Sequence, residues 1–352
     1  METYTKHIIF QDEPVKEALK KLNDLAADAI LFVVDQQKRL IGSLTDGDLR
    51  RGFISGLDFS SLLFEFIQQS PVFMLKNRQY SLEELEVYKN KNYKIIPILN
   101  EDDVVIDILN FRIQKTIIPA DAVIMAGGTG KRLMPLTADT PKPLLKIGGK
   151  PIVEYGIDQL LKVGIRNIYL SVNYLGEQLE SYFGDGNSRN ASLKYIRESQ
   201  PMGTIGSILL VDSFEHDDVL VMNSDLLTNI DFADFYTSFK KSGADMAVAT
   251  TSYDVHVPYA VLEVDPGNMA TSLKEKPSYT YYSNAGIYFL KKEVLKMIPE
   301  GKFYDITDLI EDLLQQKGKI FTYQINGYWL DIGKPEDFSK AQEDVKHINF
   351  NS

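Results

Sequence analysis

Apolar and polar positions follow the same order in two successive blocks of the first third of the chain. The first block has helical spacing over Pro14–Ala27, and the second begins with a capping-box pattern at Ser81–Glu84. Two strand-like runs separated by a polar turn follow each helix: Ala29–Val34 and Arg39–Thr45, then Lys94–Leu99 and Val104–Leu109. This repetition predicts an internal duplication of two units that pack against each other.

After the linker Ile117–Ala120, the pattern changes to strands that alternate with helices. Ile152–Lys162 has helical spacing and is closed by Gly164. The apolar runs that predict buried strands are Ala122–Ala126, Ile168–Val172 and Val219–Met222. The alternation favours an α/β fold with a mostly parallel sheet, in which ligands bind at the carboxyl ends of the strands. We therefore expect two domains, 1–118 and 119–352.

The composition excludes several classes of protein. Hydrophobic residues make up 44% and charged residues 25%, as in globular proteins, and no apolar run approaches the ~18–20 residues that span a bilayer. The chain has no cysteine, which excludes disulfides, thiolate zinc sites and cysteine nucleophiles. The first residues lack the apolar segment of a secretory signal, so we expect a cytoplasmic protein without membrane partners.

The charge is acidic overall but locally basic. A net charge of −11 argues against nucleic-acid partners. Residues 121–150 nevertheless hold five basic and two acidic residues, net +3, in a glycine-rich segment. The four histidines share no ligand spacing, and we expect solvent-facing or capping roles for them: His7, His216, His256 and His347.

The glycine-rich segment Ala126–Leu133 follows a predicted strand, where backbone N–H groups can approach a phosphate. Met125 and Arg132 stand where a Walker A loop needs Gly and Ser or Thr, and Leu133 excludes the dinucleotide fingerprint. A bare glycine loop is as typical of a structural turn as of a phosphate site. The prolines on both sides of Lys142 restrict its backbone, which favours a cation held in place.

The block Met125–Leu145 resembles the signature of sugar-1-phosphate nucleotidyltransferases, and the resemblance extends over 121–340. Further matching segments are Glu198–Gly206, Asn223–Asp225, Glu275–Pro277, Asn284–Gly286 and Trp329–Pro335. The resemblance implies a Rossmann-like mixed α/β sheet of the GT-A-like type. The departures from the family pattern are Lys131, Ile205 and Ser224. Ile205 and Ser224 bear on substrate identity more than on reaction type.

The resemblance also assigns roles to residues. Arg132 would bind the triphosphate, Lys142 would stabilise charge at the α-phosphate, and Lys276 would hold the sugar phosphate. Mg²⁺ would be held by Asp225 and Asp331, and Asp225 is counted with Arg132, Lys142 and Lys276 as the catalytic group. The remaining predicted nucleotide contacts are Ala126, Gly127, Gly128, Gly130, Gly203 and Thr204, and the remaining sugar-phosphate contacts are Glu275, Asn284 and Gly286.

The first domain has a family resemblance of its own. Gly42–Arg51 resembles the strand-to-helix signature of a CBS domain, so that residues 1–118 form a small α+β CBS-domain pair. In that family the residues corresponding to Thr45 and Asp48 hold a nucleotide. The second unit lacks this set around Val104–Gln114, which predicts one regulatory site at most. The alternative, that Asp48 only caps a helix and the pair drives homo-oligomerisation, stays open.

The combined resemblance implies an enzyme that converts an NTP and a sugar 1-phosphate into an NDP-sugar and pyrophosphate. The arrangement is similar to guanylyltransferases of bacterial surface-sugar pathways, which act on glucosamine-1-phosphate, as in legionaminic acid synthesis, or on mannose- or heptose-phosphates. We therefore expect GTP, with UTP, dTTP or CTP as alternatives. A second hypothesis is a nucleotide-sensing regulatory protein with a non-catalytic transferase domain. It would predict loss of a metal ligand or cation, and all are present.

Overall fold

The chain divides into two units, one formed mainly by the residues up to Pro119 and the other beginning at Ala120. The computed structural model describes residues 4–76, 78, 80, 82–112, 117–189, 191–198, 200–348 and 350. None of the helices in these ranges has both the length and the apolar character needed to cross a membrane.

The first unit contains two three-stranded sheets of the same design. Its elements are β1 (Ile8–Phe10), α1 (Val15–Leu25), β2 (Ile30–Val34), β3 (Leu40–Thr45), α2 (Asp46–Ile54), β4 (Met74–Leu75), α3 (Leu82–Asn90), β5 (Ile95–Leu99) and β6 (Val105–Asn110). In each sheet the first strand is parallel to the second, and the second is antiparallel to the third. The shared strand order β1-β2-β3 and β4-β5-β6 confirms the predicted duplication.

The start of α2 differs from the sequence expectation. The acidic run after Thr45 predicts a helix that begins near Leu49, but α2 begins at Asp46 with Thr45 as its N-cap. Asp48 lies at the third helical position, where its carboxylate accepts the Thr45 backbone N–H at 2.8 Å. The capping box therefore adds a turn that helix propensity alone does not predict. The cap expected at Ser81 lies outside the described residues.

The second unit contains the large sheet. Its elements are β7 (Ala120–Met125), β8 (Lys146–Ile147), β9 (Lys150–Pro151), α4 (Ile152–Lys162), β10 (Asn167–Val172), α5 (Gly176–Phe183), β11 (Ser192–Arg197), β12 (Asp218–Asn223), β13 (Leu226–Thr228), α6 (Phe232–Ser242), β14 (Met246–His256), β15 (Val261–Val264), β16 (Ala270–Lys274), β17 (Ser278–Lys291), α7 (Ile306–Gln315), β18 (Ile320–Gln324), β19 (Trp329–Asp331) and α8 (Pro335–Asp344).

The seven-stranded sheet has the order β11-β10-β7-β12-β17-β14-β18. The first four strands are parallel, whereas β17 is antiparallel to both of its neighbours. The predicted mixed α/β sheet is thus confirmed. The chain adds β10 and β11 on one side of β7 and then crosses to β12 on the other side. Ligands of such sheets bind in the crevice at this reversal, at the carboxyl ends of β7 and β12.

The core of the second unit fixes these strand ends. Side chains from the central strands, including Val123, Val221 and Tyr288, pack in one buried cluster with Leu309 and Leu313 of α7. Close packing of this kind leaves a strand few alternative positions. The loops that follow β7 and β12 therefore start from rigid supports.

One acidic residue lies fully buried at the opposite end of β7. Asp121 accepts hydrogen bonds from the His216 backbone N–H at 2.9 Å, from His216 Nδ1 at 3.0 Å and from Asn167 Nδ2 at 3.1 Å. Burial alone would raise the pKa of the Asp121 carboxyl, but these hydrogen bonds outweigh it and hold the pKa below its usual value.

The solvent-facing or capping role expected of the histidines is wrong for His7, because this side chain is fully buried and its Nδ1 is hydrogen-bonded to the Ile30 carbonyl oxygen.

We expect Asp121→Asn to lower the free energy of unfolding at pH 7 by about 2 kcal/mol, because an amide N–H₂ would face the donors of His216. A carboxyl with a lowered folded-state pKa stabilises the protein above its unfolded pKa, and this contribution is lost as the pH falls through the folded pKa. The difference between wild type and variant should therefore shrink below about pH 4.

Thermal unfolding followed by circular dichroism between pH 3 and 7 measures this effect. The exposed Asp212→Asn serves as the matched control and should unfold like the wild type. Equal stability of Asp121→Asn and the control at pH 7 would show that the buried cluster contributes nothing.

Candidate active site

In the second half of the loop after β7, the chain turns back so that Gly130 packs against Thr137. Gly130 has φ +63°, and a Cβ placed there would lie 2.9 Å from Thr137 Cγ2. The Thr137 hydroxyl donates a 2.9 Å hydrogen bond to the Gly130 carbonyl oxygen. Gly130 therefore needs to be glycine for two reasons, the left-handed backbone and the close approach of Thr137.

The first half of the loop is open. A Cβ at Gly128 would meet no atom within 4 Å, and the Ala126 N–H is anchored to the Ser171 carbonyl oxygen of β10 at 2.8 Å. A Cβ at Gly127 would lie 3.2 Å from Glu198 Oε1, at the end of β11. The loop thus leaves exposed backbone at the carboxyl edge of the sheet, as a phosphate site requires.

Lys142 is held beneath this loop. It opens a short 3₁₀ turn, Lys142–Leu144, with Pro141 at the N-cap, and its side chain is only 11% exposed. Its ammonium group forms an ion pair with Asp225 Oδ2. The structure therefore joins two of the predicted catalytic residues directly, although 83 positions separate them in the sequence.

Asp225 and Asp331 are brought together by the pairing of two short strands. β13 and β19 are antiparallel, with Leu226 opposite Asp331, and the Ile332 N–H donates to the Asp225 carbonyl oxygen at 3.0 Å. The Oδ1 atoms of both carboxylates are buried and have no hydrogen-bond partner. Buried oxygens without donors are the ligands that a hard cation such as Mg²⁺ takes.

The charge balance at this pair favours a cation. Burial raises the pKa of the Asp331 carboxyl above its usual value, and the negative charge of Asp225 raises it further, against the lowering effect of Lys142 and Arg132. No group of three or more histidine or acidic side chains suited to a metal ion exists in the described part of the chain. Further ligands would therefore be oxygens of a bound phosphate or of water.

Arg132 lies beside the segment that follows Asp331. A Cβ at Gly333 would lie 3.3 Å from Arg132 Nη2, so the guanidinium group rests against the backbone two residues after Asp331. Arg132 itself is exposed. It can therefore reach a ligand in the crevice while staying beside the carboxylate pair.

The predicted base-binding residues are held by the segment that begins α7. Gly203 has φ +78°, and a Cβ there would collide with the Tyr304 carbonyl oxygen. The Thr204 N–H donates to Asp305 Oδ1, and the Thr204 hydroxyl accepts from the Ile306 N–H, both at 2.8 Å. These contacts give Gly203 and Thr204 a structural role that the sequence did not reveal.

The predicted sugar-phosphate residues fall into two groups. Asn284 and Gly286 pack against segments of the site. A Cβ at Gly286 would lie 2.7 Å from Asn223 Nδ2. Between these two residues, the Ala285 carbonyl oxygen accepts a hydrogen bond from the Trp329 indole N–H at 2.9 Å. The Asn284 side chain accepts the Gly286 N–H at 2.9 Å.

Glu275 and Lys276 form the second group. They are exposed between β16 and β17, and among the described residues no hydrogen bond or ion pair joins either of them to the other candidates. Lys276 has φ +45°, a left-handed backbone that is uncommon for lysine. Residues held in such conformations cluster at ligand sites, which favours a functional role for this turn.

Sequence reasoning missed the network that positions Glu198. The fully buried Ser171 donates its hydroxyl to Glu198 Oε1 at 2.7 Å and shares a 2.8 Å hydrogen bond with the Ser207 hydroxyl. The Met202 N–H reaches Glu198 Oε2 at 3.3 Å. The signal in the sequence was a serine inside the buried run Ile168–Val172 of β10.

In the first unit the predicted nucleotide residues bond to each other. The Thr45 hydroxyl donates to Asp48 Oδ2 at 2.6 Å, and Arg51 Nη2 donates to Asp48 Oδ1 at 2.5 Å. Both carboxylate oxygens of Asp48 thus have donors within the helix start. This geometry favours the capping role, and a nucleotide at Thr45 and Asp48 stays a prediction.

Comparison with known families assigns both units. A model of the nucleotidyl transferase family matches residues 121–348, and a model of the CBS domain matches residues 6–55. The CBS match thus spans the first repeat, β1 to α2, including Thr45 and Asp48.

Curated relatives resemble the second unit. A mannose-1-phosphate guanylyltransferase of Mycobacterium tuberculosis is 30% identical over 230 residues, which are 64% of this chain and 64% of that protein. The bifunctional protein GlmU of Methanocaldococcus jannaschii is 31% identical over 230 residues, 63% of this chain and 53% of that protein. The chain therefore spans between half and two thirds of the length of these relatives.

A solved structure shares the fold. The crystal structure of a provisionally named glucose-1-phosphate thymidylyltransferase from Bacillus anthracis, in complex with a sucrose, has a TM-score of 0.53 and 25% identity. The match covers 66% of this chain and 99% of that one. Because the family match extends over most of the chain and contains the glycine loop and both buried carboxylates, this protein belongs to the nucleotidyl transferase family, with a CBS domain preceding the transferase unit.

Proposed function

We propose that this protein transfers a nucleotidyl group from an NTP to a sugar 1-phosphate and releases pyrophosphate. The observation that carries the proposal is the pair of buried, unpartnered carboxylate oxygens of Asp225 and Asp331, with Lys142 between them and the open glycine loop. Two polyanionic substrates need a metal ion and fixed cations at the reacting phosphorus, and this edge of the sheet has two carboxylates that would hold the metal and Lys142 as a fixed cation.

In the proposed reaction, a phosphate oxygen of the sugar 1-phosphate attacks the α-phosphorus, and the bond to the bridging oxygen of the β-phosphate breaks. The backbone of Gly127 and Gly128 and the guanidinium of Arg132 hold the triphosphate. Lys142 compensates the charge that develops around the α-phosphorus. Mg²⁺, held by Asp225 and Asp331, would supply charge neutralisation for both phosphates. The attacking oxygen is already ionised, so no protein base is needed.

The sugar phosphate is assigned to the segments around β17. Lys276 holds the phosphate group, whereas Glu275 and Asn284 bind sugar hydroxyls. The left-handed backbone at Lys276 and the fastening of Ala285 to Trp329 support this assignment. Mannose 1-phosphate is the first sugar to test because one relative carries that substrate in its name. Glucosamine 1-phosphate and a role in surface-sugar precursor synthesis rest on the sequence resemblance.

Guanine is the proposed base. Each oxygen of Glu198, beside Gly127, accepts one protein hydrogen bond, from Ser171 or from Met202, and has a second acceptor site. Guanine presents an N1–H and a 2-amino group on one edge, which these two sites can accept together. Uracil and thymine present a single ring N–H on the corresponding edge. The names of several relatives as guanylyltransferases agree with this choice.

The first unit is proposed to mediate association of two copies. Four large apolar side chains within residues 54–64 are exposed: Ile54 (81%), Phe59 (60%), Leu62 (69%) and Phe64 (44%). Exposed apolar side chains in such number mark interaction surfaces. Asp48 Oδ2 accepts both the backbone N–H and the hydroxyl of Thr45, and Oδ1 accepts Arg51, so association has more support than nucleotide sensing as the role of this unit.

We expect Asp331→Asn to lower pyrophosphate release from GTP and mannose 1-phosphate by about a hundredfold or more, because a metal ligand is lost. The same variant should raise the melting temperature of the metal-free protein by about 2–4 °C, the shift that ~1 kcal/mol produces in a unit of this size, because it removes a buried like-charge repulsion. A coupled pyrophosphate assay and thermal unfolding in EDTA measure the two effects.

Because Asp331→Asn is expected to lose activity while its melting temperature rises, the loss of activity cannot be attributed to unfolding. Asp212→Asn is the control for both measurements. An absence of turnover with every nucleotide and sugar phosphate pair, together with unchanged nucleotide binding by Asp225→Ala, would contradict the enzymatic proposal and favour a nucleotide-sensing protein.

In a competition among GTP, UTP, dTTP and CTP at equal concentration, we expect GDP-sugar to be the main product. Glu198→Gln should reduce the preference for GTP by about tenfold, because an amide offers one acceptor and one donor to the two guanine donors. Product analysis by liquid chromatography measures the ratios. A wild-type preference for another base would rule out the guanine proposal without affecting the reaction class.

We expect the double change Ile54→Asp and Leu62→Asp to halve the mass of the protein in solution, because charges would be buried in the proposed interface. Light scattering after size-exclusion chromatography measures the mass. Leu314→Asp, at a leucine of the second unit that is 57% exposed, is the matched control. A monomeric wild type, or a double variant of unchanged mass, would contradict association through this surface.

A further inference from the structure

We propose that Lys142 and a divalent cation compete for Asp225, so that the cation binds weakly by itself and tightly together with a phosphate ligand that draws Lys142 away. The inference rests on the proposed function, because it takes Asp225 and Asp331 as the metal ligands. It goes further by assigning to Lys142 the coupling between the metal site and the phosphate site.

The position of Lys142 supports the competition. Its ammonium group is bonded to Asp225 Oδ2, while Asp225 Oδ1 and Asp331 Oδ1 have no partner. The lysine thus occupies one oxygen of a carboxylate that the cation needs. It supplies one positive charge where the two carboxylates carry two negative charges.

Lys142 is not a surface lysine that solvent could reclaim freely. Its side chain is 11% exposed, Pro141 fixes the start of its turn, and its Cβ would lie 3.1 Å from a Cβ placed on Gly130. The backbone of the glycine loop therefore packs directly over it. Its ammonium group can exchange partners only within this part of the site.

The ammonium group and a divalent cation cannot share Asp225 at low energy. Two cations at hydrogen-bond distance from one carboxylate repel each other, and the repulsion is stronger in a partly buried site than in water. A cation that binds Asp225 and Asp331 must therefore displace the ammonium group. Without a new partner, the displaced charge would remain buried and unpaired.

Phosphate oxygens are the new partner that this site can offer. The open stretch of the loop at Gly128, where an added Cβ would meet no atom within 4 Å, lies two residues before Gly130, whose added Cβ would lie 3.1 Å from Lys142 Cβ. A lysine ammonium is a compact charge on a flexible stem and can move between two anions a short distance apart. Binding of phosphate and binding of the cation then favour each other, and linkage requires the effect to be reciprocal.

Binding of Mn²⁺ to the nucleotide-free protein, followed by electron paramagnetic resonance, tests the competition directly. Lys142→Met should bind Mn²⁺ about tenfold more tightly than the wild type, because it frees Asp225 Oδ2. Lys142→Arg keeps a cation on that oxygen and should bind like the wild type.

Arg132→Met controls for charge alone. It removes one positive charge beside the same carboxylates without freeing a carboxylate oxygen, so its Mn²⁺ affinity should rise clearly less than that of Lys142→Met. Melting temperatures measured for each variant exclude unfolding as the cause of any difference.

Amine labelling of the wild type provides a second readout that does not depend on a variant. Mg²⁺ should increase the acetylation rate of Lys142, because its ammonium group leaves Asp225. Lys240, which pairs with Asp218 at 2.6 Å at the other end of β12, should be labelled at the same rate with and without Mg²⁺.

The outcomes separate this inference from the proposed function. If Asp225→Asn binds Mn²⁺ as well as the wild type, the metal site itself is misassigned and the proposed function fails with it. If Asp225→Asn loses Mn²⁺ but Lys142→Met gains no more affinity than Arg132→Met, the competition is wrong and the proposed function stands. Unchanged labelling of Lys142 by Mg²⁺ would also overturn the competition.

Discussion

The site depends on two carboxylates that the backbone forces together. Pairing of β13 with β19 places Asp225 and Asp331 side by side at the edge of a packed sheet, with the Oδ1 atom of each carboxylate buried. Such an arrangement is unfavourable by itself, because like charges repel and burial disfavours ionisation. The cations around it, Lys142 and Arg132, partly offset that repulsion. Much of what the protein can do follows from how the remaining negative charge is compensated.

The sequence predicted the strands of the large sheet well, and it located several segments that the structure brings to one edge of that sheet. Strong apolar runs identified β7, β10 and β12 within a residue or two, and the glycine and proline pattern located the loop and Lys142. These features are local, so a local pattern can reveal them. The reversal of strand order between β7 and β12 was not predictable from any segment, because it is a property of how distant strands pair.

Contacts between distant residues were the part that the sequence could not supply. The ion pair between Lys142 and Asp225, the bonding of Glu198 by Ser171 and the closing of Gly130 by Thr137 each join segments separated in the chain. The error at α2 had a different, local cause, because reciprocal bonds between Thr45 and Asp48 moved the helix start by a turn. The sequence pointed to Thr45 and Asp48, but it did not show that these two side chains hydrogen-bond to each other.

The fastening of Gly203 and Thr204 to residues 304–306 affects how the nucleotide preference could be redesigned. Their segment belongs structurally to the start of α7, about a hundred positions later in the chain. If only residues 198–206 were replaced by those of a relative, the new residues would have to pack against the unchanged Tyr304 and Asp305, which they do not match. If Gly203 and Thr204 bind the base as proposed, exchange of base preference between relatives requires both segments to be transplanted together, and changes at the start of α7 would alter the proposed base pocket from outside it.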